Sequence, residues 1–371
     1  MESSLRAARP SPGGRAGGQK HRDRGPEVGE LFTKEELVGL GVDVLMALAA
    51  NEEVATVVAE SLVLSNLVGH DSHGIVRLVQ YASFVQSGQV RPSATPEVVA
   101  RRAATAVVDG AWGFGQPAAQ LATRLAVELG QSSGVAAVTI KNCNHIGRLG
   151  EYVADLADAG MVGLSFCNSG PVVAPYGGAG RVMGTNPFAW GVPRRDGASA
   201  ILDFATSNVA EGKLNIARAE GRLVAPGSIV DSEGRPSEDP NDFYAGGALV
   251  PFGAHKGSGM SVLIELTGGL LSGMGTSPAA NYLGGNGTMI LGIDIAAFVD
   301  LAGFLDEVDD FCAIMKRAAR TGAEVLVPGE LESRTRAERE RDGVPIGEGI
   351  RREITALADE HGVDLGRFGL R

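Results

Sequence analysis

The chain has 371 residues, 44% hydrophobic and 21% charged, with 33 basic against 44 acidic residues and a formal net charge of −11. That length allows two or three domains and a large core without staples, and the composition is neither fibrous nor disordered throughout. The acidic balance, without a basic stripe, argues against nucleic-acid binding and a membrane-surface role, and no run of about 20 apolar residues is present to cross a bilayer. Cys143, Cys167 and Cys312 are widely spaced and form no C-x-x-C pair. Such sparse thiols suit a reducing compartment, so a cytoplasmic protein with buried thiols is expected.

Residues 1–30 hold six Lys/Arg, six Gly and three Pro. They cannot bury enough surface to order themselves, so a disordered tail is expected. A transit peptide would share the Arg content but not the Gly and Pro. Thr33-Lys34-Glu35-Glu36 is a capping box before Leu37, Leu40, Val44, Leu45 and Leu48 at helical spacing. A second helix is expected after Asn51, with Val54, Val57, Val58, Ser61 and Leu62 on one face. A third is expected from near Asp71-Ser72 to about Val85.

From about Ala104 to Ile295, β-branched runs predict strands at Ala106–Val108, Val135–Ile140, Val162–Phe166, Ile201–Phe204 and Met289–Ile293. Helices are expected between them at Pro117–Leu129, Gly150–Ala159 and Gly257–Leu271. After Ala296 the pattern is helical over Ala296–Thr321 and Gly349–His361, with the Arg/Glu-rich Leu331–Asp342 read as a solvated stretch. The expected fold is α/β (α+β), with a sheet domain over 106–295. Both chain ends, 31–105 and 296–371, build one helical domain around it.

Gly113-Phe114-Gly115-Gln116-Pro117-Ala118 has the form of a dinucleotide fingerprint, following a strand and opening a helix. The next strand, however, ends in Lys141-Asn142 and not in the acidic residue that ribose hydroxyls require. With 53 glycines, chance matches are expected. The fingerprint is set aside.

Gly69-His70-Asp71-Ser72-His73-Gly74 leads to Arg77 and Tyr81. On one helix, His73, Arg77 and Tyr81 would fall at i, i+4 and i+8. An imidazole can exchange a proton near neutral pH, and a guanidinium grips a carboxylate. Other readings of the same residues are a surface pair and a metal site from His70, Asp71 and His73. Asn142-Cys143-Asn144-His145-Ile146-Gly147 places a histidine at a strand end, where ligands often bind. Gly184-Thr185-Asn186-Pro187 and Asp203-Phe204-Ala205-Thr206-Ser207 are turn chemistry that also suits phosphates and riboses. In His255-Lys256-Gly257-Ser258-Gly259, Lys256 opposes the helix macrodipole unless an anion is shared there.

In this order, GHDSHGIVRLVQY, KNCNHIG, GTNPFAW, LDFATS, HKGSGM and VPGE resemble the type-2 malate/L-lactate dehydrogenase family. Its relatives include ureidoglycolate dehydrogenase, diketogulonate reductase and piperideine-2-carboxylate reductase. The resemblance runs over about residues 33–371. It implies hydride transfer between NAD or NADP and a small 2-oxo or 2-hydroxy acid, or reduction of a cyclic imine carboxylate or ureidoglycolate-type substrate. It also implies a non-Rossmann cofactor domain with a mainly antiparallel sheet, a homodimer and no metal.

By the same resemblance His73 is the proton donor and acceptor, oriented by Ser72, and Arg77 anchors the substrate carboxylate. In the reducing direction a protonated His73 supplies the proton. His145 heads a cofactor loop (His145, Ile146, Gly147, Arg148, Leu149) and in some relatives is itself the acid/base. Thr185, Glu211 and Gly212 border the substrate. Ser169, Asp203, Phe204, Ala205, His255, Lys256, Gly329 and Glu330 line the cofactor. Ile146 stands where an aromatic is usual, Arg148 where small residues are common, and Pro278–Met289 is short and Gly-rich. The competing classes are a non-catalytic NAD-binding metabolite sensor and a metal hydrolase using His70, Asp71, His73 and His145.

Overall fold

The computed structural model describes residues 30–195 and 199–368. The expected tail lies outside the described residues except for Glu30, which opens strand β1 (Glu30–Phe32). Helix α1 (Lys34–Ala47) starts on its capping box: Thr33 Oγ1 accepts from Glu36 N at 3.2 Å, and Thr33 N donates to Glu36 Oε2 at 2.8 Å. Helix α2 (Glu52–Leu67) starts on Asn51, whose Oδ1 accepts from Val54 N at 2.9 Å. Leu40, Val44, Leu45, Val58 and Leu62 form a core with Val344, Ile346, Ile354 and Phe368 from the far end of the chain.

The third helix departs from its pattern. Asp71–His73 forms one 3-10 turn, Gly74 is extended, and helix α3 spans only Arg77–Gln86. His73 and Arg77 therefore do not share a continuous helix. The break is made by Asn66: its Oδ1 accepts from Ile75 N at 2.8 Å and its Nδ2 donates to Asp71 Oδ1 at 2.7 Å. Only glycine fits at position 74, where a Cβ would lie 2.2 Å from Asn66 Oδ1.

The central elements are β2 (Glu97–Arg101), β3 (Thr105–Asp109), α4 (Gly115–Ser133), β4 (Val135–Lys141), α5 (Leu149–Asp158), β5 (Met161–Cys167), β6 (Phe188–Val192), β7 (Ala200–Phe204) and α6 (Glu211–Ala219). There follow β8 (Ile229–Val230), β9 (Pro236–Ser237), α7 (Pro240–Tyr244), β10 (Ala248–Leu249), α8 (His255–Ile264), a π-helical continuation over Glu265–Leu270, and β11 (Thr288–Asp294). The seven-stranded sheet has the order β2-β3-β4-β11-β5-β6-β7. Only β3 and β4 run parallel; every other neighbouring pair is antiparallel. Alternation along β4 buries Ala136, Val138 and Ile140 against Ala122, Ala126 and Leu129 of α4 and Val153 of α5. Strands β8, β9 and β10 form a separate small sheet, with Val173, Leu214, Ile229 and Phe243 in its own core.

Helices α9 (Leu301–Arg317), α10 (Glu330–Asp342) and α11 (Glu348–Glu360) complete the described chain, with β12 (Val344–Ile346) pairing antiparallel to β1. Cys312 and Val308 of α9 pack with Ala200 and Trp190 of the large sheet. The stretch read as merely solvated is helix α10, which buries no residue. It is held by an Arg336–Glu340 pair one turn apart and by Arg339 on Asp71.

The Gly113 motif also has a local explanation. A Cβ on Gly115 would lie 2.5 Å from the carbonyl oxygens of Asn144 and His145. The glycines let that loop cross the start of α4, which leaves no room there for a pyrophosphate.

Candidate active site

The 3-10 turn, α3, the start of α4 and the loop from β4 to α5 converge on a pair of histidines. The His73 and His145 rings stack 5.6 Å apart at 25°. Ser72 Oγ meets His73 Nδ1 at 3.1 Å. Gln116 Nε2 donates to the Tyr81 hydroxyl at 2.7 Å, which leaves that hydroxyl to donate to His145 Nδ1 at 2.8 Å. His145 then carries its proton on Nε2. Arg77, at the first turn of α3, donates from Nε to the Ser72 carbonyl and from Nη1 to Gln80 Oε1, both at 2.6 Å.

The loop itself is rigidly held. Asn144 is buried and its Nδ2 donates to the carbonyls of Gln89, Trp112 and Gly113 at 3.2, 3.1 and 3.0 Å. Gly147 takes φ +78°, and Tyr152 donates to the Ile146 carbonyl. The side chains of Ile146 and Leu149 point into the core, so beyond the His145 ring this loop offers a ligand its backbone and Arg148.

Burial, then the charges of Arg77, His70 and Arg148, hold the His73 imidazolium down to a pKa of about 3. Burial, Arg77 and His73 push His145 well below its usual range. Both rings are held in the neutral form in the free protein at neutral pH. Glu211, although exposed at the start of α6 with Gly212, is near enough for its charge to favour the charged form of Arg77.

A cleft of about 230 Å³ is bordered by His70, Arg148, Glu151, Asp203, Gly329 and Glu332, and the charges of His70 and Arg148 reach His73. Three residues expected to meet the cofactor, Arg148, Asp203 and Gly329, thus line one cleft. Asp203 Oδ2 also accepts from Gly150 N at 2.7 Å, capping α5. Gly329 takes φ +89° and passes close to Ile201 N. Glu330 is engaged elsewhere, with Lys316 and Arg194 and with Val327 N at 3.1 Å.

Ser169 and Thr185 belong to a second cluster. Ser169 N donates to Asn186 Oδ1 at 3.2 Å, and the Thr185 carbonyl accepts from Thr206 N and Oγ1 at 2.8 and 2.9 Å. Behind them the buried Glu265 accepts from Asn186 Nδ2, Ser277 Oγ and Ser277 N at 2.8, 2.6 and 2.8 Å. Phe204 packs on Phe188 and Phe252, with Ala205 next to it. His255 and Lys256 are exposed at the start of α8, His255 edge-on to Tyr176 at 6.2 Å. Among the described residues neither is bonded to the histidine cluster.

The donors of the metal reading diverge. Asp71 is taken by Arg339 at 2.7 and 3.1 Å and His70 faces Glu332 at 3.4 Å. No group of three or more His, Cys, Asp or Glu among the described residues is arranged around a common point. The three cysteines are buried and free, and no described helix is long and apolar enough to cross a membrane. Gln116, Tyr81 and Glu265 support these two clusters, and no motif gives them a role. Only Tyr81, one turn beyond Arg77, carried a local signal.

A sequence model of malate/L-lactate dehydrogenase matches residues 32–355. The chain belongs to this family. It is 32% identical to malate/(S)-sulfolactate dehydrogenase of Methanothermus fervidus over 341 residues, covering 90% of this chain and 99% of that protein. It is 40% identical to Delta(1)-pyrroline-2-carboxylate/Delta(1)-piperideine-2-carboxylate reductase of Pseudomonas syringae pv. tomato over 238 residues, 64% of this chain and 69% of that one. The solved sulfolactate dehydrogenase of Methanocaldococcus jannaschii superposes with a TM-score of 0.82 at 30% identity, covering 91% of this chain and 98% of that chain.

Proposed function

We propose that this family member is an NAD- or NADP-dependent dehydrogenase of small 2-hydroxy acids, with His73 as the proton-exchanging group and Arg77 as the carboxylate anchor. The observation that carries the reading is the His73–His145 stack with Arg77 beside it, in a cluster that also holds Ser72 and Tyr81. Arg77 draws the substrate carboxylate to the first turn of α3, where a guanidinium offers a two-pronged grip. Ser72 holds His73 through Nδ1, leaving Nε2 to exchange a proton with the substrate oxygen. A neutral His73 is ready to take the hydroxyl proton during oxidation. For reduction it must first gain a proton against its burial and the neighbouring positive charges, and a carboxylate seated on Arg77 offsets part of that charge. His145, fixed by Tyr81, directs an Nε2–H donor toward the same region.

The nicotinamide, when bound, gives or takes the hydride. Arg148, Asp203 and Gly329 would hold the cofactor, and the unpartnered Arg148 Nε in that cleft fits an anionic ligand. Ser169, Thr185, Phe204, Ala205, His255, Lys256 and Glu330 remain assigned to cofactor or substrate by motif. The cofactor would lie on a mainly antiparallel, non-Rossmann sheet unit spanning 106–295, against a helical unit drawn from 31–105 and 296–371. A cytoplasmic homodimer is proposed with it. Exposed Val262, Leu263, Leu266, Leu270 and Leu271 on one helical run supply apolar surface for a second copy.

The 40% identity to a cyclic imine carboxylate reductase favours a second reading in which the same anchor holds an imine acid. Oxidation of NADH and NADPH, followed by absorbance, with a panel of 2-oxo acids and piperideine-2-carboxylate tests both. Turnover of a member of the panel supports a dehydrogenase; cofactor binding with no turnover of any member favours a sensor.

A further inference from the structure

A buried guanidinium ordinarily finds carboxylate or carbonyl partners, because its charge otherwise loses hydration without return. Arg148 does not. It is 7% exposed, its Nε has no hydrogen-bond partner, and its guanidinium makes no hydrogen bond or ion pair with any described residue. The carboxylates within electrostatic reach, Asp203 and Glu151, are engaged elsewhere. Asp203 caps α5 through Gly150 N, and Glu151 accepts from Ser61 Oγ and from Gln120 Nε2 at 3.2 Å. Burial pushes both toward the neutral form, which weakens them as counter-ions.

The placement is built by the chain. Arg148 precedes α5 and borders the cleft, and its charge reaches His73. Gly150 makes room for it: a Cβ there would stand 2.0 Å from Arg148 Nη1. We propose that Arg148 is a second anion-binding group of the active site, in addition to Arg77, and that it takes an oxyanion of the bound reactants. That oxyanion comes from one of two sources, the distal carboxylate or sulfonate of a two-acid substrate, or a phosphate of the dinucleotide. The proposal rests on the dehydrogenase reading above.

The test uses Arg148→Gln and Gly150→Ala in the full chain. Gly150→Ala keeps the charge but displaces Nη1, and alanine suits a helical position. Thermal melts establish that each variant is folded. Kd for NADH and NADPH is read by fluorescence titration, and kcat/KM is compared for malate and lactate. If the oxyanion is a phosphate, Kd rises by about tenfold or more in both variants. If it is the distal acid group, Kd stays and the malate-to-lactate ratio of kcat/KM falls by about tenfold or more. Folded variants that match the wild type in both quantities overturn the proposal. A wild-type protein that turns over no member of the substrate panel defeats the dehydrogenase reading instead, while the titrations still report on Arg148.

Discussion

Tyr81→Phe removes one oxygen from the chain Gln116–Tyr81–His145 and leaves the ring in place against Phe114, 5.6 Å away. Two hydrogen bonds disappear from a fully enclosed spot, since Tyr81 is 1% and Gln116 0% exposed. Gln116 Oε1 already lacks a partner, so the variant strips the whole amide of partners. A buried group left unsatisfied costs about 1–3 kcal/mol. With the bare His145 Nδ1 added, the loss is about 2–4 kcal/mol. The midpoint of denaturant unfolding should fall accordingly at unchanged slope. Nitrogen NMR of the histidines should show His145 as one Nε2–H tautomer in the wild type and as a mixture in the variant. Turnover should drop by about tenfold, as the ring loses its fixed donor. A variant with the wild-type midpoint and a single unchanged tautomer would refute the relay.

Three further outcomes follow from the same geometry. Arg77→Lys should raise KM for carboxylate substrates by about tenfold or more, with kcat less affected, because the planar fork is lost; equal KM values would count against the anchor. Gly74→Ala forces a Cβ into Asn66 and should cost about 1–3 kcal/mol while disturbing the Ser72-His73 turn, so wild-type stability in a melt would contradict the role given to Asn66. His73, neutral in the folded chain down to about pH 3 but ordinary when unfolded, makes the unfolded state bind the extra proton below about pH 6.5. Its contribution to stability is therefore lost as pH falls from about 6.5 toward 3, and kcat/KM for oxidation should show no His73 limb near neutrality. A limb centred near 6.5 that vanishes in a His73 variant would show the ring to be unperturbed.

What could be read ahead of the structure was whatever depends on neighbours in sequence. Thr33 and Asn51 announce α1 and α2 because a cap and its partner are three residues apart. The β-branched runs announce β3, β4, β5, β7 and β11, while β6 was hidden behind a turn motif. The chemistry of His73 and Arg77 was legible from residue type, but their geometry was not. The break at Gly74 is imposed by Asn66, and the fixing of His145 by Tyr81 spans 64 residues. Helix α10 was missed for a different reason. It has no apolar stripe, and its anchor is Asp71, 268 residues from Arg339.

The most direct measurement is turnover of His73→Ala beside its cofactor affinity, in a protein shown by its melt to be folded. The loss expected in kcat is at least about a hundredfold in both directions, with Kd for NADH or NADPH close to wild type. A folded His73→Ala protein that keeps wild-type turnover would contradict the assignment of proton exchange to this imidazole.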